Sequence, residues 1–188
     1  MMKVDLHLLA LILTKENKMG TRSLTVINNE WDDSEICVLY RQSDGYPEGH
    51  GIDLLNFLKN MNIVNGISIG ESRRISNGMD CLAAQVVAHF KTGPGDFYLH
   101  SAGSRDMCEQ FIYTIYVKDK ELHIKVENVY DKGHNIHFSF DGNLNQYEEW
   151  LNSQNEKENS SIFNEMITYV HGKNPIELRE HCDKGEIK

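Results

Sequence analysis

Between a strand-patterned stretch and a helix-patterned one lies Gln42–Gly51, QSDGYPEGHG, and no regular element can run through it. Gly45, Gly49 and Gly51 widen the backbone angles open to the chain, and Pro47 fixes φ and removes an amide donor. The chain must therefore turn a corner here, passing from one kind of element to another. Before the corner, Ile36 to Arg41 alternates, with Ile36, Val38 and Tyr40 on one face and Cys37, Leu39 and Arg41 on the other. After it, Ile52 to Met61 places Leu54, Leu55, Leu58 and Met61 on one helical stripe.

The remaining elements follow from the same periodicities. Arg22 to Ile27 reads as a strand, joined to Ile36–Arg41 through the polar turn NNEWDDS. Asn65 to Gly78 reads as a loop containing Arg73 and Arg74. A second helix is expected over Met79–Phe90, capped by Ser76 or Asn77 and stopped by TGPGD at Thr92–Asp96. Phe97–His100, Phe111–Val117, Glu121–Glu127 and Ile136–Phe140 read as strands, the second and third joined as a hairpin by KDK at Lys118–Lys120. Asp141–Asn145 reads as a turn, and Gln146–Ser153 and Ile162–His171 as helices. The expected fold is α+β, a single antiparallel sheet with helices packed on it in the order ββαα-ββββ-αα. Leu54, Leu58, Leu82, Val86, Val87, Ile112, Ile124 and Phe138 are its expected core.

At the N-terminus, LHLLALIL (Leu6–Leu13) is too short to span a bilayer and lacks the flanks of a signal peptide. Met19 opens a fresh segment. Residues 1–18 therefore read as an added helix or, the favoured reading, as upstream sequence from a misassigned start. The single domain is expected over 19–172, with a charged tail over 173–188.

A formal net charge of -9 argues against nonspecific binding to nucleic acid or an anionic membrane. Cys37, Cys81, Cys108 and Cys182 form no C-x-x-C pair, which fits a reducing, cytoplasmic setting better than a zinc ribbon or a redox motif. His134 and His137 fall in a turn running into a strand, where their spacing puts them on opposite faces, so no metal site is expected. No cofactor fingerprint and no nucleophile elbow is present.

The corner itself carries the chemical expectation. Gly49-His50-Gly51 leads into a helix, whose first amides and partial positive charge suit an anion. Arg41 would add a bidentate contact, His50 a hydrogen bond or a proton shuttle, and Asp44 would orient either. Arg22, Arg73 and Arg74 would complete a basic pocket if the Arg73–Arg74 loop folds toward Gly49–Gly51. Arg22 and Arg41 lie near opposite ends of the first hairpin's two strands, so pairing is expected to hold them apart. The bland alternative is ordinary turn chemistry and solvated arginines.

TRSLT at Thr21–Thr25, VLYRQSDGYPEGHG at Val38–Gly51, CLAAQVVAHFK at Cys81–Lys91 and the GPGDFYL that follows resemble a family of uncharacterised bacterial and bacteriophage proteins. That family pairs a T-R-x-x-x start with a Y-R/K-x-x-D-G-Y-P-x-G-x-G element, and the resemblance runs over about Gly20–Asn128. It departs at Ser43, where an aromatic residue or His is usual. The resemblance implies fold and boundaries rather than an activity.

Three functions are open at this point. The leading one is a small-anion binder, nucleotide-like in its ligand, acting as an accessory or host-interaction protein of a phage or mobile element, its partner a small anionic ligand or a host protein. The second is a hydrolase or phosphoesterase using His50 with Asp44 or Glu48. The third is a protein–protein inhibitor acting through an acidic surface.

Overall fold

The computed structural model describes residues 20–67, 70, 74–130 and 135–154, the side chains at 130 and 135–139 excepted. The chain divides into two compact units, Met1–Leu151 and Asn152–Lys188. Only 152–154 of the second are described, and they are helical. The expected helix over 162–171, the extension over 1–18, the tail over 173–188 and the side chain of Phe138 all lie outside the described residues.

In the first unit, β1 (Ser23–Asn28) and β2 (Glu35–Arg41) form an antiparallel hairpin with Ser23 opposite Arg41 and Ile27 opposite Cys37. This register corrects the expectation for the two arginines. The start of one antiparallel strand meets the end of the other, so Arg22 and Arg41 share one end of the hairpin. A π-helical turn, Pro47–Gly51, runs directly into α1 (Ile52–Leu58), shorter than the periodicity suggested. Then come β3 (Asn62–Val64), β4 (Ile75–Asn77) and α2 (Gly78–Phe90). β3 and β4 pair in parallel as a small second sheet, β3 in the three residues between the expected helix and loop and β4 inside the segment read as loop.

β5 (Phe97–His100), β6 (Phe111–Lys118), β7 (Glu121–Tyr130) and β8 (Asn135–Asn143) complete a six-stranded sheet of order β5-β2-β1-β6-β7-β8. The sheet is mixed, not purely antiparallel, because β1 and β6 are parallel with Ser23 opposite Phe111. β5 does not pair with its successor. It adds to the outer edge of β2, Arg41 opposite Phe97, and β6 must then enter on the far side of the hairpin. Residues 101–110 carry the chain back across, tied at one end by the amide of Gly103 and the guanidinium of Arg105 on Glu35. At the other end, the amide of Gln110 donates to the carbonyl of Arg22 at 2.9 Å.

The sheet is apolar on both faces. Ile27, Leu39, Tyr113, Ile115, Ile124 and Val126 pack under Leu54, Leu58, Leu82 and Val86 of the helices. Leu24, Val26, Val38 and Ile112 form a second cluster, against which Met107 of the crossover packs. The expected core is buried at Leu54, Leu58, Leu82, Val86, Ile112 and Ile124, while Val87 is partly buried.

Local chemistry fixes the ends of these elements. Asp119 and Lys120, both at positive φ, make the tight β6–β7 turn. The region read as a turn over Asp141–Asn145 is strand to Asn143, and a helix, α3, opens at 144. The side chain of Asn143 accepts the amide of Gln146 and that of Gln146 accepts the amide of Asn143, each at 3.0 Å. This reciprocal cap supplies the donors' partners without a loop. α3 contributes Tyr147 and Leu151 to the core.

Candidate functional site

β2 ends at Arg41 and the π-helical turn carries His50, so the corner brings the two side chains together. Arg41 Nη1 lies 3.0 Å from His50 Nδ1 and donates to Asp53 Oδ2 at 2.8 Å, while its Nε donates to the carbonyl of Ser43 at 2.7 Å. A guanidinium only donates. His50 Nδ1 therefore accepts, and the ring proton sits on Nε2, which donates to Thr25 Oγ1 at 2.7 Å. His50 has 0% of its surface exposed and is ringed by Phe90, Phe97 and Tyr113 at 5.3–5.7 Å between centroids. Burial, and after it the Arg41 charge, hold His50 well below the usual imidazole range, so it is neutral.

The amides at the corner are turned inward. Gly45 donates to the carbonyl of Thr21 at 2.8 Å, Gly49 to that of Tyr46 at 3.0 Å, and His50 to that of Asp44 at 3.0 Å. Gly51 donates to the carbonyl of Tyr46 at 3.4 Å. A Cβ at Gly51 would stand 2.5 Å from the hydroxyl of Tyr147, so glycine is required there by close approach rather than by a ligand. Tyr113 donates to the carbonyl of Gly45 at 2.9 Å. Burial first, and the nearby Glu48 carboxylate after it, push the Tyr147 phenol up.

Arg41, Asp44, Glu48, Gly49, His50, Gly51 and the backbone of Arg22 thus meet at one end of the first hairpin. Asp44 sits at φ +53°, its carbonyl spent on His50. The Arg22 side chain is exposed. Arg74 stands elsewhere: its carbonyl accepts the amide of Asn62 beyond the C-terminal end of α1, one helix length from Gly51. Arg73 lies outside the described residues, as do His134 and the side chain of His137. No group of three or more His, Cys, Asp or Glu able to hold a metal occurs among the described residues. Sequence reading missed Thr25 and Asp53. Asp53 bonds Arg41 across twelve residues, a pairing that no local spacing signals. Thr25 is a polar residue on the strand face that also carries Ile27.

A second feature gathers at the N-terminus of α2. That helix has no side-chain cap from Ser76 or Asn77. Glu30, from the first hairpin's turn, caps it instead, accepting the amide of Met79 at 3.1 Å. Gly78 permits this, at φ +75° and with the carboxylate oxygen 2.6 Å from where a Cβ would lie. The Asn77 side chain accepts the amide of Gly66 at 2.6 Å. Two large exposed apolar residues, Trp31 at 78% and Ile67 at 55%, therefore neighbour residues tied to the same step, Asn77–Met79. Asp32 and Asp33, which follow Trp31, and Asp80, which follows Met79, are exposed. The turn is ordered: the amide of Asn29 donates to the carbonyl of Ser34 at 2.8 Å, and the amide of Trp31 to Asn29 Oδ1 at 2.8 Å. The hydroxyl and amide of Ser34 both donate to Asp32 and hold its carboxyl below its usual value.

Comparison with protein-family models, with curated proteins and with solved structures finds no match to this chain.

Proposed function

We propose that this protein acts by binding another protein through the acidic, tryptophan-bearing face at the N-terminus of α2. The observation that carries this reading is Trp31, 78% exposed on a turn held by hydrogen bonds from both sides. Leaving a large apolar side chain in water forgoes about 1.5–3 kcal/mol of burial. A single exposed apolar residue is common, but here Trp31 follows Glu30, which caps α2, and precedes two exposed aspartates, Asp32 and Asp33, on a pre-formed turn. Tryptophan is enriched among the residues that dominate binding energy, and an ordered turn lowers the entropy lost on association. The carboxylates favour a partner whose apolar slot is rimmed by Arg or Lys.

The Tyr40–Gly51 corner offers less support for ligand or catalytic roles. Its amides are spent internally, and a buried, neutral His50 with both nitrogens bonded has no reach to a substrate. A photo-crosslinking residue at exposed Ala84, one turn along α2 from Asp80, tests the proposal in the native cell. One discrete adduct from position 84, and none from exposed Asn56 on α1, is the expected outcome. Equal, diffuse labelling from both positions would contradict it.

A further inference from the structure

One edge of the described six-stranded sheet is β5, and an edge strand turns amides and carbonyls toward whatever lies beyond it. The amide of Gln42 donates to the carbonyl of Asp96 at 2.8 Å. Bonded and non-bonded pairs alternate along an antiparallel ladder, so Tyr98 and His100 bond to β2 while Phe97 and Leu99 turn their backbone groups outward. Tyr98 and Leu99 are also 44% and 59% exposed. A second copy of the chain laying its own β5 along this edge, Leu99 opposite Leu99, would cover both side chains on each copy. We infer that Lys91 blocks this pairing and keeps the protein monomeric, a role independent of the face at the start of α2.

Lys91 follows directly on α2, its amide donating to the carbonyl of Val87 at 2.9 Å. Its Nζ donates to the carbonyl of Gly95 at 2.8 Å and to that of Phe97 at 2.6 Å. The amide of Phe97 donates to the carbonyl of Gly95 at 2.7 Å, so both outward groups of Phe97 are already spent. The same Nζ lies 5.2 Å from the centre of the Tyr98 ring. Phe97 packs into the core under the helices, and Tyr98, next along the strand, projects from the other face beside Tyr40. The Lys91 side chain therefore lies across the edge from one face to the other. A second strand must displace the ammonium from two carbonyls and a ring, or trap it without water, and either is costly. Only the backbone groups of Leu99 then remain for an incoming β5. A lysine here also suits the partial negative charge at the end of α2, but that role affects stability and leaves association unchanged.

Sedimentation equilibrium on the full chain tests this, with the wild type, Lys91→Met, Lys91→Arg and the double variant Lys91→Met/Leu99→Lys compared over one concentration series. The wild type should keep the mass of one chain throughout. Lys91→Met keeps the length of the side chain and loses its charge, and should self-associate about tenfold more tightly or more, the effect of removing one charged contact from the edge. Lys91→Arg should stay monomeric. Leu99→Lys should restore the monomer to the Lys91→Met protein by placing a charge back on the edge. Hydrogen exchange at the Leu99 amide locates the contact: in Lys91→Met it should slow as concentration rises. Thermal midpoints confirm that each variant is folded, since Lys91 and Leu99 are both exposed. A wild type that dimerises with the Leu99 amide protected would overturn the inference. So would a folded Lys91→Met protein that stays monomeric, or one whose association survives Leu99→Lys.

Discussion

His50 is the residue on which the corner turns. Its neutral ring accepts from Arg41 and donates to Thr25, joining β2, the π-helical turn and β1 through one side chain. A histidine held below its usual value of 6.5 makes the unfolded chain the better proton acceptor. Stability from this group is complete above that pH and is lost as pH falls below it, by up to about 1.4 kcal/mol per unit. Urea denaturation at pH 7.5 and pH 5.5 should therefore show a larger loss in the wild type than in His50→Gln. Equal losses would mean that His50 is protonated without penalty in the fold. Tyr147 gives a second test. Its buried hydroxyl has no hydrogen-bond partner among the described residues and sits where a Gly51 Cβ would go. Gly51→Ala should cost about 1–3 kcal/mol through overpacking. Tyr147→Phe alone should be neutral or stabilising, since it removes an unsatisfied buried group. In the Gly51→Ala background, Tyr147→Phe should recover a large part of the loss. Additive effects in that double-mutant cycle would refute the contact.

At the scale of elements, what could be read in the sequence depended on whether a signal was local. The Asp119-Lys120 turn, the strand patterns of β6 and β7 and the stripe of α2 need only neighbours in the chain, and they were legible. Arg41 and His50 were read as meeting at one corner, but as facing a ligand and not as bonded to each other. The cap of α2 was not, because Glu30 reaches it from another element and leaves Ser76 and Asn77 for other bonds. The inward aim of the corner's amides was also hidden, since a Gly-rich turn reads alike whether its donors face a ligand or the chain. The reciprocal cap of α3 was present in the sequence as Asn143 and Gln146 but was taken for a turn. Asn143→Ala should cost about 0.5–2 kcal/mol, measured by chemical denaturation. No change would show that α3 is held by Tyr147 and Leu151 packing alone.

At the scale of the whole molecule, the mixed sheet is the feature that local pattern could not supply. Strand direction depends on where β5 docks, and β5 chose the edge of β2 over its successor. Met107 of the resulting crossover packs on the Leu24, Val26, Val38 and Ile112 cluster, and no described helix is long and apolar enough to cross a membrane. The same topology separates the sealed corner from the exposed turn that caps the start of α2. The proposed binding role rests on the face at the start of α2, where Trp31 is 78% exposed. Trp31→Ala tests this most directly, read in one preparation by its thermal midpoint and by crosslinking from position 84. The expected result is an unchanged midpoint with the adduct lost. An adduct that persists in a folded Trp31→Ala protein, or a midpoint lowered by several degrees as for a core residue, would contradict it.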